Sequence, residues 1–269
     1  MPDKFYWKEQ DGLRLLVSEA LEEAGFVNGF STRLGGVSPF PDSDLNLAGF
    51  GDDTAENIAE NRRRFLRFFG NGFRISTAWQ VHGTEIRRVV APDEAGDSDQ
   101  KADAVISDLA DILAGVKTAD CVPVLIGDPA AGAYAAVHAG WKGTLSRIVQ
   151  HAVGALENDF GSRAEDLVCA IGPAASGRCY EVGPEVVEAF EAEFSTSGKI
   201  FSETSGGHAL VDLHLANTDQ LVESGVKKVN ISVAPYCTME RVDLFFSYRK
   251  DRPLHGRTGR LLSVIGKKR

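Results

Sequence analysis

The sequence predicts an α+β protein in which helices pack outside mixed or antiparallel β-sheets. Short runs with strand character outnumber helical segments by more than two to one, and several of these runs follow one another with no helix between them. A doubly wound parallel sheet needs strict alternation of strands and helices, which is absent here. The apolar content of 43% and charged content of 25% are typical of an ordinary water-soluble globular chain.

Four segments have the periodicity of an amphipathic helix, and each has a terminal signal. In the first, Asp53 and Glu56 have capping-box spacing. Thr144 is a candidate N-cap for the second, and Pro184 occupies a favourable first-turn position in the third. The predicted helices are about 53–69, a segment following Gly143, 183–194, and about 213–224.

Ten short runs have the composition of β-strands. In AYAAVHAG the two-residue period places His138 on one face with Tyr134 and Ala136, at the end of the strand. In order, the runs are GFSTR, TAWQVHG, EIRRVV, ADAVISD, VPVLIG, AYAAVHAG, LVCAIG, KVNISVAP, LFFSYRK and LLSVIG.

Length, charge and cysteine content limit the classes of function. No repeat or linker divides the chain, so residues 1–269 are interpreted as a single domain. A net charge of -9 opposes binding to nucleic acid or to an anionic membrane. No apolar run approaches the roughly 20 residues of a membrane span, and no secretory signal is evident, so a cytoplasmic location is expected. The four cysteines include no CxxC pair and are expected to be reduced.

Two histidines and one cysteine border apolar runs next to turns. Gly83 follows His82, Gly140 lies close after His138, and Cys121 precedes the run VPVLIG. Two imidazoles and one thiolate would form a zinc site with an open fourth position, the type that activates water. The separations are long and nothing local forces the three together. The competing interpretation is a structural strand-end histidine and a buried cysteine.

A collinear series of motifs resembles the YfiH family, once called the multicopper polyphenol oxidase or laccase-domain family and later described as purine nucleoside phosphorylases. The motifs are FSTRLGGVS, WQVHGTEI, TADCVPVLI, AAVHAGWKGT, AIGPAASGRCYEVGPEV and FFSYRKD followed by TGRLLSVIG, in order from residue 30 to residue 266. The resemblance implies a sandwich of two mixed sheets with outer helices, an α/β/β/α arrangement related to the cytotoxic necrotizing factor deamidase fold. It also implies that His82, Cys121 and His138 are zinc ligands.

The resemblance further implies phosphorolysis of adenosine, inosine, guanosine and methylthioadenosine, with adenosine deamination as a second activity. An open zinc site suits deamination because the metal lowers the pKa of bound water. The two histidines and Cys121 are therefore expected at the reaction centre, with Asp120 as a candidate proton carrier.

Phosphate and nucleoside need further contacts. Arg62 and Arg249 are candidates for phosphate because the guanidinium fork matches a phosphate group. Arg33, Ser31 and Asn46 are candidates to line a nucleoside pocket. The competing interpretations are solvated surface charges and side chains that satisfy turn backbone. One departure from the family pattern is the segment RKDRPLHGRTGR, which is longer than the short turn expected there.

Several alternatives remain open from the sequence. Cys121 could be the nucleophile of a metal-free cysteine hydrolase or amidase, with His138 or His82 as its base. Editing of a peptidoglycan precursor and a non-catalytic partner role are further alternatives. Copper-dependent phenol oxidation is disfavoured, since six histidines and four scattered cysteines leave little beyond one metal site. Cys169 is interpreted as a strand-core thiol, whereas Cys179 and Cys237 are undecided.

Overall fold

The chain crosses repeatedly between two stacked β-sheets in the computed structural model, which describes residues 4–39, 43–48, 52–194 and 199–269. In chain order the strands are β1 Phe5–Gln10, β2 Leu13–Ser18, β3 Val27–Ser31, β4 Arg74–Trp79, β5 Ile86–Arg88, β6 Asp97–Lys101, β7 Ala104–Ser107, β8 Ile112–Thr118, β9 Val122–Gly127, β10 Tyr134–Ala139, β11 Val168–Ile171, β12 Glu181–Val182, β13 Phe201–Glu203, β14 Ala209–Val211, β15 Ile231–Val233 and β16 Leu261–Gly266. The helices are α1 Glu19–Glu23, α2 Ala55–Phe68, α3 Trp141–Leu145, α4 Ile148–Phe160, α5 Pro184–Glu193, α6 Leu213–Glu223 and α7 Tyr248–His255.

Both large sheets are mixed, as the sequence predicts. One has seven strands in the order β1-β2-β3-β16-β8-β4-β6, with parallel pairing only among β8, β4 and β6. The other has six strands in the order β15-β11-β9-β10-β7-β5, with parallel pairing at its two ends. A small third sheet has the order β12-β14-β13.

The alternating side chains of β10 show how the layers are packed. Tyr134 lies in the apolar cluster between the two sheets, together with Phe30 of the seven-stranded sheet. Val137 points to the opposite face and packs in a second cluster with Leu156 of α4. Helix α2 covers the outer face of the seven-stranded sheet through Phe65. The α/β/β/α layering is therefore confirmed.

The predicted helices are confirmed, with corrections to the N-caps of the first two. The first begins after Thr54, whose side chain accepts the Asn57 N–H, rather than after Asp53. The prediction that Thr144 caps the second helix is wrong. Thr144 is buried inside α3, and a separate helix, α4, begins after Arg147, whose φ of 62° breaks the helical path between them.

One predicted strand is wrong and several strands were not predicted. LFFSYRK forms a buried turn followed by α7, because the Ser247 side chain accepts the Lys250 N–H and caps a helix. Phe245 and Phe246 are fully buried without pairing in a sheet, and a short apolar run does not distinguish these outcomes. The long segment after Arg249 thus continues α7.

Among the described residues, no helix is both long and apolar enough to cross a lipid bilayer.

Candidate metal centre and its cavity

The structure brings together the three side chains that the sequence suggested as metal ligands. One donor atom of each of His82, Cys121 and His138 lies within 4.8 Å of the other two. Cys121 Sγ is 3.9 Å from His82 Nε2, and the two imidazole rings are 4.8 Å apart at 75°. The three residues form a compact donor cluster with one sulfur and two nitrogens.

This cluster lies where the chain passes between the two sheets. His82 belongs to the turn that follows β4 of the seven-stranded sheet. Cys121 stands between β8 of that sheet and β9 of the six-stranded sheet, and His138 lies near the end of β10. The donor cluster therefore forms when the two sheets take their native positions relative to each other.

A buried carboxylate that sequence analysis did not single out fixes two of the donors. Asp103 is 0% exposed and accepts hydrogen bonds from the backbone N–H groups of Val81, His82 and Gly83 at 3.1, 2.9 and 2.7 Å. The same carboxylate lies 2.8 Å from His138 Nδ1. Burial would raise the pKa of Asp103, but the hydrogen bonds from His138 and Gly83 lower it. An ionised Asp103 orients His138 so that its Nε2 remains for a ligand.

The charges of Cys121 and His138 stabilise one another. Burial alone would raise the pKa of the Cys121 thiol, but the neighbouring His138 outweighs burial and lowers the pKa to about 6. Burial would lower the pKa of His138, whereas Cys121 and Asp103 raise it to about 9. Both shifts favour a thiolate beside an imidazolium in the metal-free pair. A cation that binds here displaces the imidazolium proton and takes over its role.

A glycine keeps the space beside the donors open. A Cβ at Gly140 would lie 2.9 Å from Cys121 Sγ and 2.9 Å from His82 Cδ2. His82 and Asp120 have left-handed backbone, with φ of 62° and 86°. A left-handed conformation at a non-glycine residue costs about 1–3 kcal/mol, and residues in that conformation cluster at functional sites. The donor chemistry and the open space both fit a single cation with a free coordination position.

A cavity of about 690 Å³ opens beside the donor cluster. That volume is within the range of small-molecule sites. Its lining combines aromatic rings with cations: Trp79, Trp141, Tyr180, Tyr248, Lys117, Lys142, Arg249 and Arg260. A second hollow of about 710 Å³ lies between β1–β3 and the end of α2, but its described lining contains no histidine or cysteine. The histidines and the cysteine of the donor cluster therefore line the first cavity and not the second.

Three of the cavity cations are held by the protein itself. The Arg249 guanidinium lies 5.0 Å from the centre of the Tyr180 ring. Arg260 Nη1 donates to the Gly259 carbonyl at 3.0 Å, and burial lowers the pKa of Arg260. The Lys117 ammonium donates to the Ala78 carbonyl at 2.8 Å, and burial lowers its pKa to about 8. Sequence analysis proposed Arg249 but missed Lys117 and Arg260.

The carboxylate of Asp120 also borders the cavity, but both of its oxygens have partners. Oδ1 accepts from Thr238 Oγ1 at 2.7 Å, and Oδ2 accepts from the Arg249 backbone N–H at 2.8 Å. Burial raises the pKa of Asp120. This carboxyl group therefore anchors the start of α7 and holds its proton to higher pH than an exposed aspartate.

Two other candidates, Arg62 and Arg33, are used in contacts within the protein. Arg62 donates to the Leu47 carbonyl at 2.8 Å and pairs with Asp97. Arg33 is buried and pairs with Asp44 at 2.7 Å. Neither is among the described residues that line the cavity.

The remaining nucleoside-pocket candidates, Asn46 and Ser31, likewise bind backbone. Asn46 Oδ1 accepts the Arg260 N–H at 2.8 Å, and Ser31 Oγ accepts the Leu262 N–H at 2.9 Å. Asn46 thus contacts the backbone of a cavity-lining residue, Arg260. Direct contact of Asn46 or Ser31 with a substrate stays a prediction.

Comparisons with known proteins identify relatives along nearly the whole chain. Residues 27–268 match the family described as multi-copper polyphenol oxidoreductase laccase. The chain is 34% identical over 276 residues to a Geobacillus stearothermophilus protein named purine nucleoside phosphorylase YlmD, covering 100% of this chain and 98% of that protein. It is 33% identical over 254 residues to the Escherichia coli K12 protein named purine nucleoside phosphorylase YfiH, covering 94% and 98% of the two chains.

Solved structures of relatives share the fold. The crystal structure of YlmD from Geobacillus stearothermophilus superposes with a TM-score of 0.90 and 34% identity, covering 100% of both chains. A Bacillus licheniformis protein named YfiH gives a TM-score of 0.89 and 29% identity, covering 97% of this chain and 99% of that one. Because the family match, the full-length relatives and the fold agree, this chain belongs to the multi-copper polyphenol oxidoreductase laccase family, which includes the YfiH and YlmD proteins.

Proposed function

We propose that the chain is a zinc-dependent purine nucleoside phosphorylase with adenosine deamination as a second activity. The observation that carries this proposal is the His82, Cys121 and His138 cluster at the wall of an aromatic and cationic cavity. The relatives' names specify phosphorolysis of purine nucleosides. The cavity chemistry supports the same substrates, because aromatic rings suit a purine and cations suit phosphate.

The donor set favours zinc over a group of copper ions. Three protein ligands drawn from imidazole and thiolate, with one open position, are the usual arrangement of a catalytic zinc, whereas several copper ions require many more ligands. A zinc ion held by these three side chains would supply Lewis acidity and a more acidic water at neutral pH. Asp103 would fix the His138 ring, and Gly140 would leave room for substrate.

The cations of the cavity would position phosphate for attack on the ribose carbon. In phosphorolysis, a phosphate oxygen forms a bond to that carbon as its bond to the purine nitrogen breaks. Arg249 and Arg260 are the fork-shaped donors of the lining, and Lys117 adds a point charge. The leaving base must gain a proton, and Asp120 is the proposed carrier because burial raises its pKa.

Phosphate dependence is the direct test of this proposal. The zinc-loaded protein is incubated with adenosine, inosine, guanosine and methylthioadenosine, with and without phosphate, and the free base and the sugar 1-phosphate are measured. We expect equimolar base and sugar 1-phosphate only with phosphate, together with slow conversion of adenosine to inosine. The sugar product is ribose 1-phosphate from the first three nucleosides and 5-methylthioribose 1-phosphate from methylthioadenosine. Base release that is equally fast without phosphate, or activity unchanged after complete zinc removal, would contradict the proposal.

A matched pair of arginine variants locates the phosphate contacts. Arg260→Gln is expected to raise the KM for phosphate by about 10-fold, since one charged hydrogen-bond donor is lost. Arg62→Gln serves as the control because its side chain binds Leu47 and Asp97 and is not among the described residues that line the cavity. A larger effect of Arg62→Gln would instead support the phosphate role predicted from the sequence.

One observation favours a second candidate, a cysteine hydrolase or amidase. Asp103, His138 and Cys121 are arranged as orienting carboxylate, base and thiolate nucleophile. A panel of amides and peptidoglycan-precursor peptides separates the two functions. Turnover of such a substrate by metal-free protein, lost in Cys121→Ala, would establish the hydrolase.

A further inference from the structure

Two cysteines outside the donor cluster are in side-chain contact. The sulfurs of Cys179 and Cys237 lie 3.1 Å apart, although the residues are 58 positions apart in the chain. Both are free thiols; Cys237 is buried and Cys179 is partly exposed. Cys179 is therefore the more accessible residue of the pair.

Contacts of the backbone also hold the two segments together. Ala174 pairs with Cys237 in an isolated parallel bridge, and the Thr238 N–H donates to the Ala174 carbonyl at 3.0 Å. The Ser176 N–H approaches Cys237 Sγ at 3.3 Å. The short distance between the thiols is thus built into the reduced fold.

The geometry fits a covalent bond better than a shared metal. Glu240 supplies a third donor within 4.8 Å, but its carboxylate accepts two hydrogen bonds from Arg178, at 3.1 and 2.6 Å. Two thiolates bound to one tetrahedral zinc at about 2.3 Å each stand about 3.8 Å apart. The sulfurs are closer than that, and closing to a bond of about 2.05 Å requires a movement of only about 1 Å.

We propose that Cys179 and Cys237 are a redox-active pair that forms a reversible disulfide on exposure to a low-molecular-weight disulfide. This site is separate from the proposed catalytic function and does not depend on it. Its chemistry uses only the two thiols and the small-molecule oxidant.

The reaction proceeds by two thiol–disulfide exchanges. Burial raises the pKa of Cys179, so the minor thiolate form of this residue attacks one sulfur of the oxidant, whose S–S bond breaks to release a thiolate. The Cys237 thiolate then attacks the Cys179 sulfur of the mixed disulfide and displaces the second small thiolate. Two protein thiols lose two electrons and two protons, and the oxidant disulfide becomes two thiols. Burial would raise the pKa of Cys237, but hydrogen bonds from Ser176 lower it and favour the second attack.

The bond would connect two segments that support the cavity. Tyr180, which lines the cavity, directly follows Cys179. Thr238, which donates to Asp120, directly follows Cys237. The disulfide would therefore close a long loop behind the cavity wall, and the oxidised protein is expected to unfold at a higher temperature than the reduced one.

The test maps the cross-link. The full chain is incubated with oxidised glutathione, the remaining thiols are alkylated, and a digest made without reductant is measured by mass spectrometry. We expect one cross-linked peptide pair containing Cys179 and Cys237, removed by dithiothreitol. Cys237→Ser should retain glutathione on Cys179, and Cys179→Ser should give no cross-link. Cys169→Ala, a change in the buried strand β11, should cross-link as the parent protein does.

Three results would overturn the assignment. The first is a stable glutathione adduct on Cys179 of the parent protein with no cross-link to Cys237. The second is a cross-link that involves Cys121 instead. The third is an additional zinc equivalent bound by the parent but not by the Cys179→Ser/Cys237→Ser double variant, which would make the pair a metal site.

Discussion

The protein contains two cysteine-bearing clusters of similar size whose surroundings differ. In each, three donor atoms lie within 4.8 Å of one another among the described residues. The cluster at Cys121 has two imidazoles, an orienting aspartate and an adjacent glycine that leaves space. The cluster at Cys237 has two thiols in contact and a glutamate already paired with Arg178. Proximity alone therefore does not separate the proposed metal site from the proposed redox pair; the groups that contact each cluster are the basis of the two proposals.

The largest expected difference is in metal content. Cys121→Ala should abolish zinc binding and lower phosphorolysis at least about 1000-fold, because several kcal/mol of transition-state stabilisation are lost. Cys237→Ala should leave zinc content and activity close to those of the parent. Both are measured by elemental analysis and by phosphate-dependent base release. Loss of zinc in the Cys237 variant would remove the distinction between the clusters.

The orienting carboxylate gives the next largest effect. Asp103→Asn should weaken zinc binding by about 10–100-fold, the usual cost of losing a partner of a metal-bound histidine. Asp128→Asn is the control, because Asp128 is a buried aspartate that accepts the N–H groups of Ala130 and Ala131 in the turn after β9. Competition with a zinc chelator measures both variants. Equal losses would show that any buried aspartate has this effect.

Space at the donor cluster is tested by adding one methyl group. Gly140→Ala should weaken zinc binding by about 10-fold, or about 1.4 kcal/mol, because its Cβ would meet Cys121 Sγ at 2.9 Å. Gly154→Ala in α4 meets nothing within 4 Å and should stabilise the helix by about 0.5–1 kcal/mol. Zinc titration and thermal unfolding separate the two effects. Unchanged affinity in Gly140→Ala would mean that the cation lies elsewhere.

The smallest expected effect concerns thiol reactivity in the metal-free protein. The pKa of Cys121 is lowered to about 6 by His138, whereas burial raises the pKa of Cys179. Alkylation of Cys121 should therefore rise with pH through about 6 and be nearly maximal at pH 7, where Cys179 remains mostly protonated. We expect Cys121 to react several-fold faster at pH 7, as quantified by peptide mass spectrometry.

His138→Gln provides the control for that rate. Without the imidazolium, the midpoint for Cys121 alkylation should move to higher pH. An unchanged midpoint would show that another group stabilises the thiolate.

The sequence was most informative where a local pattern has one physical meaning. Pro184 at the start of α5 and the alternation along β10 each predicted their element correctly. LFFSYRK failed because its apolar residues are buried by a turn rather than by a sheet. The hairpin β1–β2 was missed although Asp11 and Gly12, both with positive φ, are a strong turn signal between two strands.

The candidate site was harder to predict because its parts come from distant segments. His82, Cys121 and His138 were found through motifs whose resemblance covers nearly the whole chain. Asp103 and Arg260 have no distinctive local pattern, since an aspartate before a strand and an arginine after a glycine are common. Arg62 belongs to a conspicuous basic run, yet its partners Leu47 and Asp97 become neighbours only in the folded chain.

The central position of β16 has a consequence for how the protein is synthesised. This strand, residues Leu261–Gly266, pairs with β3 on one side and β8 on the other. The seven-stranded sheet therefore stays divided until these residues leave the ribosome, and β8 leads directly to Cys121. Translation thus delivers the sequence of the three donors long before the sheet that carries β4 and β8 is whole, so metal loading is expected to follow the synthesis of β16.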